Sequence, residues 1–343
     1  MKAVYKVRRE PGAIEVREVE PPRCGPEDLL VRVQAGSICG SDVHVYRYSR
    51  GFEYIQPPFI LGHEFTGVVE QIGERVQGFA VGDRVISEGV HYCGQCRPCR
   101  SGSTNLCRSF RIIGLHFDGG FADYVAFNAR YAHRIPSRIP PEQAALVEPA
   151  SVCVHAVRQG PRIEPSDVVL VTGVGPIGIM TAQLAKLAGA ARVLITGVEG
   201  DEEVRLPVAR RLGLETVNVE REDLGRMVTD LTDGYGADLV FECSGAKPAL
   251  LQAMDLVRKG GHLVMVGIQS SPAEIYFTPY IRREITLHTA ITSIWADFEA
   301  AIGLMARGDL KVQPLVTTFP MASAVEAIEG SLNRQVLKAV LVP

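Results

Sequence analysis

The sequence predicts a two-domain α/β protein, with a β-rich first part followed by a doubly wound parallel sheet. A length of 343 residues favours two domains over one. The first part consists of short β-branched runs, and from about Ala144 to Leu287 apolar strands alternate with amphipathic helices. We therefore assign 1–148 and 288–343 to one domain and 149–287 to the other.

The first domain is predicted to be a partly open barrel whose loops can carry a site. Its β-branched runs are separated by Pro and Gly clusters such as Pro11-Gly12 and Pro21-Pro22, which are turn signals. The clearest runs are Val4–Val7, Ile14–Val19, Leu29–Ala35 and Gly67–Ile72, and Gly78–Val85 and Gly120–Val125 continue the pattern.

The second domain shows repeated strand–helix units, which imply a parallel sheet covered on both faces. The predicted strands are Asp167–Thr172, Arg192–Thr196, Thr216–Asn218, Asp238–Glu242 and Gly261–Val266. The predicted helices are Ile177–Ala188, Val204–Leu212 and Lys247–Val257. The remaining stretch adds two helices and a final strand but no further repeat, so we expect it to return to the first domain.

Composition and charge narrow the classes of partner. The net charge is −3 and the pI is about 6.3, whereas nucleic-acid and anionic-membrane partners usually require a basic surface. No signal peptide is visible, and the longest apolar runs are too short to span a bilayer. We therefore expect a cytoplasmic protein without a nucleic-acid or membrane partner.

A glycine pattern marks a candidate dinucleotide site. Gly173-Val174-Gly175-Pro176-Ile177-Gly178 follows an apolar strand and opens a helix. In such a loop Gly173 allows the tight turn, Gly175 lets the backbone approach a pyrophosphate, and Gly178 permits close helix–strand packing. The helix N-terminus then offers free N–H groups to the phosphates. The alternative is a glycine-rich turn without a ligand.

The end of the second strand bears on the choice between NAD and NADP. An acidic residue for the adenosine ribose is expected after Thr196, but Gly197 stands there and would leave room for a 2′-phosphate. Four acids follow from Glu199 onward and would repel that phosphate. We favour NAD, with Glu199 or Asp201 reaching the ribose. Ser244 and Gly267 are further candidates for cofactor contact.

Four of the eight cysteines crowd into one short segment. Cys93, Cys96, Cys99 and Cys107 form the pattern C-x2-C-x2-C-x7-C. Four thiolates can close a tetrahedral zinc shell, and a shell without an open position is structural. The alternatives are an iron–sulfur cluster, whose common spacings differ, and a nucleic-acid zinc ribbon, which the acidic pI disfavours.

Other potential metal ligands are dispersed along the chain. Cys39 lies in Cys39-Gly40-Ser41-Asp42-Val43-His44, His63 and Glu64 lie in Gly62-His63-Glu64, and Glu148 precedes Pro149. Each of these residues alone is typical of a structural position. Their combination with the four cysteines and the glycine loop indicates a metal-dependent enzyme that binds a dinucleotide.

These motifs resemble those of the zinc-containing medium-chain dehydrogenase family, nearest to its sorbitol and threonine dehydrogenase branch. The resemblance runs from end to end of the chain. It implies a GroES-like catalytic domain, a Rossmann coenzyme domain and two zinc ions per chain. It also implies a catalytic zinc held by Cys39, His63 and an acidic group, either Glu148 or Glu64, which exchange as ligand in such enzymes.

The resemblance further implies how the reaction proceeds. Zinc lowers the pKa of the substrate hydroxyl, hydride passes to the nicotinamide, and the proton leaves through Ser41 and His44. Asp42 resembles the carboxylate that orients the zinc-bound histidine, although it also suits a turn. Alternatively, His44 is a surface loop residue.

The substrate class and the oligomeric state are implied only by the resemblance to this branch of the family. We expect a polyol-like secondary alcohol, with threonine, another amino alcohol or a sugar phosphate as the alternative. The alternative from another functional class is a non-enzymatic zinc-binding protein with the same fold. We also expect a homodimer or homotetramer, with Leu263–Gly267 and Ser270–Arg282 extending one sheet into another.

Overall fold

The computed structural model describes residues 1–269 and 271–343, and the chain divides into two compact units. The first unit comprises Met1–Ser151, Thr292–Gly308 and Leu315–Pro343, and the second comprises Val152–Ile291 and Asp309–Pro314. These units show which residues pack together. The functional domain boundaries at 148/149 and 287/288 stay a prediction.

The described residues form strands of between two and ten residues. In chain order these are β1 (Lys2–Lys6), β2 (Ile14–Glu18), β3 (Asp28–Ser37), β4 (Phe59–Ile60), β5 (Phe65–Ile72), β6 (Arg84–Ser87), β7 (Val90–His91), β8 (Arg111–Ile112), β9 (Tyr124–Asn128), β10 (Ala132–Arg134), β11 (Val168–Thr172), β12 (Arg192–Gly197), β13 (Glu215–Asn218), β14 (Ala237–Glu242), β15 (Val257–Met265), β16 (Thr286–Thr289), β17 (Val316–Pro320) and β18 (Lys338–Val342).

The α-helices range from single turns to about three and a half turns. In chain order these are α1 (Gly40–Arg47), α2 (Arg97–Arg100), α3 (Pro141–Ala144), α4 (Val147–Gln159), α5 (Pro176–Leu187), α6 (Arg205–Arg211), α7 (Leu224–Leu231), α8 (Lys247–Leu256), α9 (Thr278–Ile281), α10 (Trp295–Arg307) and α11 (Ala324–Leu332). No helix among the described residues is both long and apolar enough to cross a membrane.

The first unit is built on a seven-stranded sheet. Its strand order is β10-β6-β5-β3-β18-β17, and β9 pairs with β3. The inward-facing residues of β3 are apolar and buried, as the alternation of a half-buried strand requires. The predicted run Gly78–Val85 forms a strand only at its end, because Gly78 and Gly82 have positive φ angles and make turns.

The second unit is a six-stranded, fully parallel sheet with the order β13-β12-β11-β14-β15-β16. Every residue of β11 is buried, as expected for a central strand covered on both faces. The strand order reverses between β11 and β14, which is the topological switch point where such sheets bind dinucleotides. The predicted fold class, a β-rich domain plus a Rossmann sheet, is confirmed.

The strand β16 was not predicted and adds a sixth member to this sheet. Among the described residues it pairs only with β15, and its other side is a free edge there. The C-terminal strand β18 returns to the first unit, where Val340 pairs with Ser37 of β3. This return brings residues of the last segment next to the loop that carries Cys39.

Candidate functional site

The four cysteines of the zinc pattern come together in the first unit. Within the described residues all eight cysteines are free thiols, and the sulfur atoms of Cys93, Cys96, Cys99 and Cys107 lie within 4.8 Å of one another. The Cys96 and Cys99 sulfurs are 3.4 Å apart, and the Cys93 and Cys99 sulfurs are 4.0 Å apart. A tetrahedral zinc with bonds of about 2.3 Å places its sulfurs about 3.8 Å apart, so the group fits the ion.

Backbone N–H groups point at these sulfurs. The N–H groups of Gln95 and Cys96 each donate to the Cys93 sulfur at 3.4 Å, and that of Ser109 donates to Cys107 at 3.4 Å. The Gln95 and Cys96 N–H groups lower the pKa of Cys93 to about 6, so the thiolate form of Cys93, which binds metal, is favoured.

A second group of potential metal ligands forms at the start of α1. Ligand atoms of Cys39, His63 and Glu64 all lie within 4.8 Å of one another. Cys39 is the N-cap residue of α1. His63 and Glu64 lie just before β5, and both are buried. Thiolate, imidazole and carboxylate are all ligands that catalytic zinc sites use.

Asp42 lies behind this group. One of its oxygens accepts a hydrogen bond from the Cys39 backbone N–H at 2.8 Å, and the other is 3.9 Å from His63 Nδ1. Within the described residues these two facing atoms have no hydrogen-bond partner. Burial raises the pKa of Asp42 to about 6, although His63 opposes the rise. The Nε2 atom of His63 is turned toward Ser41, so it is the nitrogen available to a metal.

The carboxylate of Glu64 is also held by residues outside the group. Lys338 Nζ lies 2.6 Å from one carboxylate oxygen and 2.9 Å from the other, and the Ser37 hydroxyl donates to the same group. Lys338 and Glu64 are both buried. Burial lowers the pKa of Lys338, but Glu64 and Cys39 outweigh this effect and leave it raised. Lys338 therefore competes with a metal for Glu64.

The structure does not bring Glu148 into the group of Cys39, His63 and Glu64. Glu148 is buried in the first turn of α4, a helix that the sequence interpretation missed. Burial raises the pKa of its carboxyl to about 7, His63 opposes the rise, and Glu64 adds to it. Glu148 is thus close enough to interact with both residues.

The two predicted relay residues lie on α1, which the sequence interpretation treated as a loop. Ser41 Oγ is 3.4 Å from His63 Nε2. His44 follows three residues later and therefore lies on the same helix face. Its ring stacks on Phe52 with centroids 5.0 Å apart, and burial, with Arg47 adding to it, lowers the pKa of His44.

In the second unit, the glycine loop has the geometry expected from its sequence. Gly173 has a φ angle of +98°, which only glycine adopts readily. A Cβ on Gly178 would lie 1.8 Å from the carbonyl oxygen of Gly173, so no side chain fits there. Gly175 caps α5 and faces open space, and Pro176 and Ile177 form the first turn of that helix. This is the arrangement that binds a pyrophosphate.

The residues after β12 differ in part from the sequence interpretation. A Cβ on Gly197 would lie 2.8 Å from Val174, so a side chain at this position would have to displace Val174. Asp201 is buried and accepts a hydrogen bond from the Val198 N–H. Glu199 is half-exposed, and Arg221 donates to its carboxylate at 2.6 Å.

Ser244 and Gly267 lie at the same edge of the sheet as the glycine loop, after β14 and β15. A Cβ on Gly173 would lie 2.8 Å from Ser244, and one on Gly267 would lie 2.2 Å from the Gly245 nitrogen. The three loops therefore pack closely.

The sequence interpretation missed Lys338, Ser37, Arg221 and the buried Glu242, and for Glu242 the only local signal was an acidic residue at a strand end.

A parallel sheet with a phosphate-binding loop, together with a unit that carries thiolate, imidazole and carboxylate donors, defines the class of metal-dependent nicotinamide dehydrogenases. The alcohol dehydrogenase GroES-like domain matches residues 25–137, and the zinc-binding dehydrogenase domain matches residues 176–307.

Known proteins similar to this chain cover almost its whole length. A sorbitol dehydrogenase of Halalkalibacterium halodurans is 37% identical over 100% of this chain and 99% of the relative. An L-threonine 3-dehydrogenase of Deinococcus deserti is 36% identical over 99% and 98% of the two chains. The crystal structure of a zinc-binding dehydrogenase from Sinorhizobium meliloti 1021 bound to NADP has a TM-score of 0.90 and 32% identity, covering 100% of this chain and 99% of that one.

The chain belongs to the zinc-containing medium-chain dehydrogenase family, in its sorbitol and threonine dehydrogenase branch. It is a zinc-dependent oxidoreductase of the alcohol and polyol dehydrogenase class, and its cofactor is a nicotinamide dinucleotide.

Proposed function

We propose that this enzyme oxidises a secondary alcohol of a polyol-like substrate to the ketone and passes the hydride to NAD. The observation that carries the proposal is the convergence of Cys39, His63 and Glu64 ligand atoms within 4.8 Å. The chemistry that a zinc ion supplies there is Lewis acidity, which lowers the pKa of a substrate hydroxyl. The first domain, 1–148 and 288–343, would hold the alcohol, and 149–287 the cofactor.

The proposed roles of the first-domain residues follow from their positions. Cys39 and His63 hold the metal, with Glu64 and Glu148 as exchanging carboxylate ligands. Glu64 is shared with Lys338, which supports exchange over a fixed ligand. Asp42 holds the His63 ring from its Nδ1 side. Ser41 accepts the substrate proton, and His44 passes it to solvent.

The preference for NAD is supported by the residues after β12. Glu199 presents a carboxylate to the region where the adenosine ribose binds, and a ribose diol donates hydrogen bonds to such a group. Asn218 and Arg221 fix the carboxylate in place. Michaelis constants for the two cofactors test this assignment, and a strong preference for NADP would overturn it.

We propose two zinc ions per chain, one at the four-cysteine lobe and one at Cys39 and His63. The free thiols also support a reducing compartment, the cytoplasm.

A second copy of this chain is the proposed partner, in a dimer or tetramer. Support comes from the free edge of β16 and nearby exposed apolar side chains, among them Tyr276, Ile281 and Leu287. Ser270, which begins the predicted contact segment, lies outside the described residues.

A substrate panel tests the proposed function. Sorbitol, xylitol, 2,3-butanediol and L-threonine are compared by the absorbance of the reduced nicotinamide. We expect the largest kcat/KM for a polyol. The second candidate, L-threonine dehydrogenase, is supported by the 36% identity to the Deinococcus deserti enzyme, and a clear preference for threonine would replace the polyol assignment.

A further inference from the structure

The carboxylate of Glu242 lies at the topological switch point of the parallel sheet. Glu242 ends β14, is fully buried, and pairs with Thr172 at the end of β11. These two strands flank the point where the strand order reverses. A fully buried carboxyl group is costly unless donors surround it, so its surroundings indicate what it does.

Five donor groups converge on this side chain. One carboxylate oxygen accepts from the Ser244 N–H at 2.8 Å, the Gly245 N–H at 3.0 Å and the Ser244 hydroxyl, with the Thr172 hydroxyl at 3.5 Å. The other accepts from Gln269 Nε2 at 3.2 Å. The backbone carbonyl of Glu242 also accepts from the Val266 and Gly267 N–H groups, each at 2.8 Å. One residue thus ties together the ends of β11, β14 and β15.

The topology indicates which half of the cofactor these loops face. The pyrophosphate belongs at the loop after β11, and the adenosine ribose belongs at the end of β12. The cofactor lies across the switch point, so its nicotinamide half extends to the opposite side, over the ends of β14 and β15. Glu242 makes its hydrogen bonds with the residues that follow these two strands.

Gln269, in the loop after β15, also contacts Glu242, and its oxygen is unpaired within the part of the chain that the structure describes. Its amide nitrogen donates to Glu242, which leaves its oxygen as a buried acceptor without a partner among the described residues. An acceptor left unpaired in this way destabilises the protein. The carboxamide N–H2 of a nicotinamide is a donor of the required kind.

We propose that Glu242 is the positioning residue for the nicotinamide half of the cofactor. It does not touch the reacting atoms. It fixes Ser244, Gly245, Gly267 and Gln269 so that the loops after β14 and β15 form a rigid floor for the ring. The inference rests on the proposed use of a nicotinamide cofactor.

Glu242→Gln tests the proposal, because it removes the charge and turns one acceptor oxygen into a donor. Toward Ser244 the N–H2 would oppose the Ser244 and Gly245 N–H groups, and toward Gln269 it would oppose Gln269 Nε2. Binding of NADH is followed by fluorescence, and binding of ADP-ribose, which lacks the nicotinamide, by calorimetry. We expect NADH to bind about tenfold more weakly or worse, the effect of losing hydrogen bonds to a charged group, while ADP-ribose binds within about twofold of the wild type.

Two further variants keep the test decisive. Glu215→Gln makes the same chemical change at the start of β13, at the other end of the sheet, and we expect it to leave both affinities unchanged. Gln269→Leu leaves Glu242 in place and removes one of its donors, so it tests the floor even if Glu242→Gln fails to fold. We expect it to weaken NADH about threefold or more and to spare ADP-ribose.

Equal weakening of NADH and ADP-ribose, or no weakening of NADH in either variant, would overturn the role of Glu242. A wild-type enzyme that binds ADP-ribose but neither NADH nor NADPH would refute the proposed function itself. The two failures are therefore distinguishable.

Discussion

Lys338 and Glu64 form a buried ion pair in which the lysine Nζ lies 2.6 Å from one carboxylate oxygen and 2.9 Å from the other. Glu64 also belongs to the group of potential metal ligands with Cys39 and His63. The pair therefore couples the C-terminal strand β18 to the proposed metal site. In that proposal it would hold a carboxylate beside the metal without making it a permanent ligand.

Removing this lysine should affect the metal-free enzyme more than the zinc-loaded enzyme. Lys338→Met leaves Glu64 buried without its cation, and breaking a buried ion pair costs about 3–5 kcal/mol. We expect the free energy of unfolding of the metal-free enzyme, measured in urea, to fall by about that amount. With zinc bound, the loss should be smaller because the released carboxylate can bind the metal.

The double variant Lys338→Met/Glu64→Gln is the control for this experiment, because it removes both charges together. We expect it to recover much of the stability of the metal-free enzyme. An equal loss with and without zinc in the single variant would show that Lys338 does not compete with the metal.

The proton relay predicts a specific pH dependence. His44 must be neutral to accept a proton, and burial lowers its pKa below the ordinary value of about 6.5. His44 therefore stays neutral as the pH falls through about 6.5, and its contribution to alcohol oxidation is lost only at lower pH. We expect His44→Ala to lower kcat about a hundredfold at neutral pH, and added imidazole to restore part of it. A kcat within about twofold of the wild type without imidazole would remove His44 from the relay.

Cofactor choice should depend on the carboxylate that Arg221 holds. Glu199→Ala removes the acceptor for the ribose hydroxyls and frees Arg221 to attract a 2′-phosphate. We expect KM for NAD to rise about tenfold and KM for NADP to fall, the size expected for hydrogen bonds to a charged group. Glu203→Ala removes an exposed acid from the same segment and serves as the matched control. Unchanged constants in Glu199→Ala would place the ribose elsewhere.

The four-cysteine lobe should contribute stability rather than chemistry. Cys99→Ser removes one of four thiolates, so we expect the zinc content to fall by one ion per chain. We also expect the melting temperature to fall by about 3–4 °C, the shift that corresponds to a loss of about 2–3 kcal/mol in a protein of this size. An unchanged zinc content and melting temperature would contradict a structural zinc at this lobe.

The parts of the site that the sequence predicted are those whose residues lie close together in the chain. Gly173–Gly178 and Cys93–Cys107 are local patterns, and their spacing fixes their geometry. The helix α1 was not predicted because Gly40 and Ser41 are weak helix formers. Its first turn is stabilised instead by Asp42, whose carboxylate accepts a hydrogen bond from the N–H of the N-cap residue Cys39.

The contacts that the sequence did not predict join distant segments. Lys338 is 274 positions from Glu64, and only the return of β18 to the first unit brings them together. The donors on Glu242 come from the ends of three different strands, which no single window of sequence contains. That Gly197 packs against Val174 could not be predicted either, because residues 197 and 174 belong to the ends of two neighbouring strands.

The zinc content and the activity of Cys39→Ser, measured on the same preparation, test the central claim most directly. Cys24→Ser, which replaces a free cysteine outside both metal groups, is the control. We expect two zinc ions per chain and full alcohol oxidation for the wild type and for Cys24→Ser. Cys39→Ser should keep about one zinc ion and lose NADH formation by at least about a thousandfold. Retention of both zinc ions together with near-normal turnover in Cys39→Ser would contradict a catalytic metal held by Cys39 and His63.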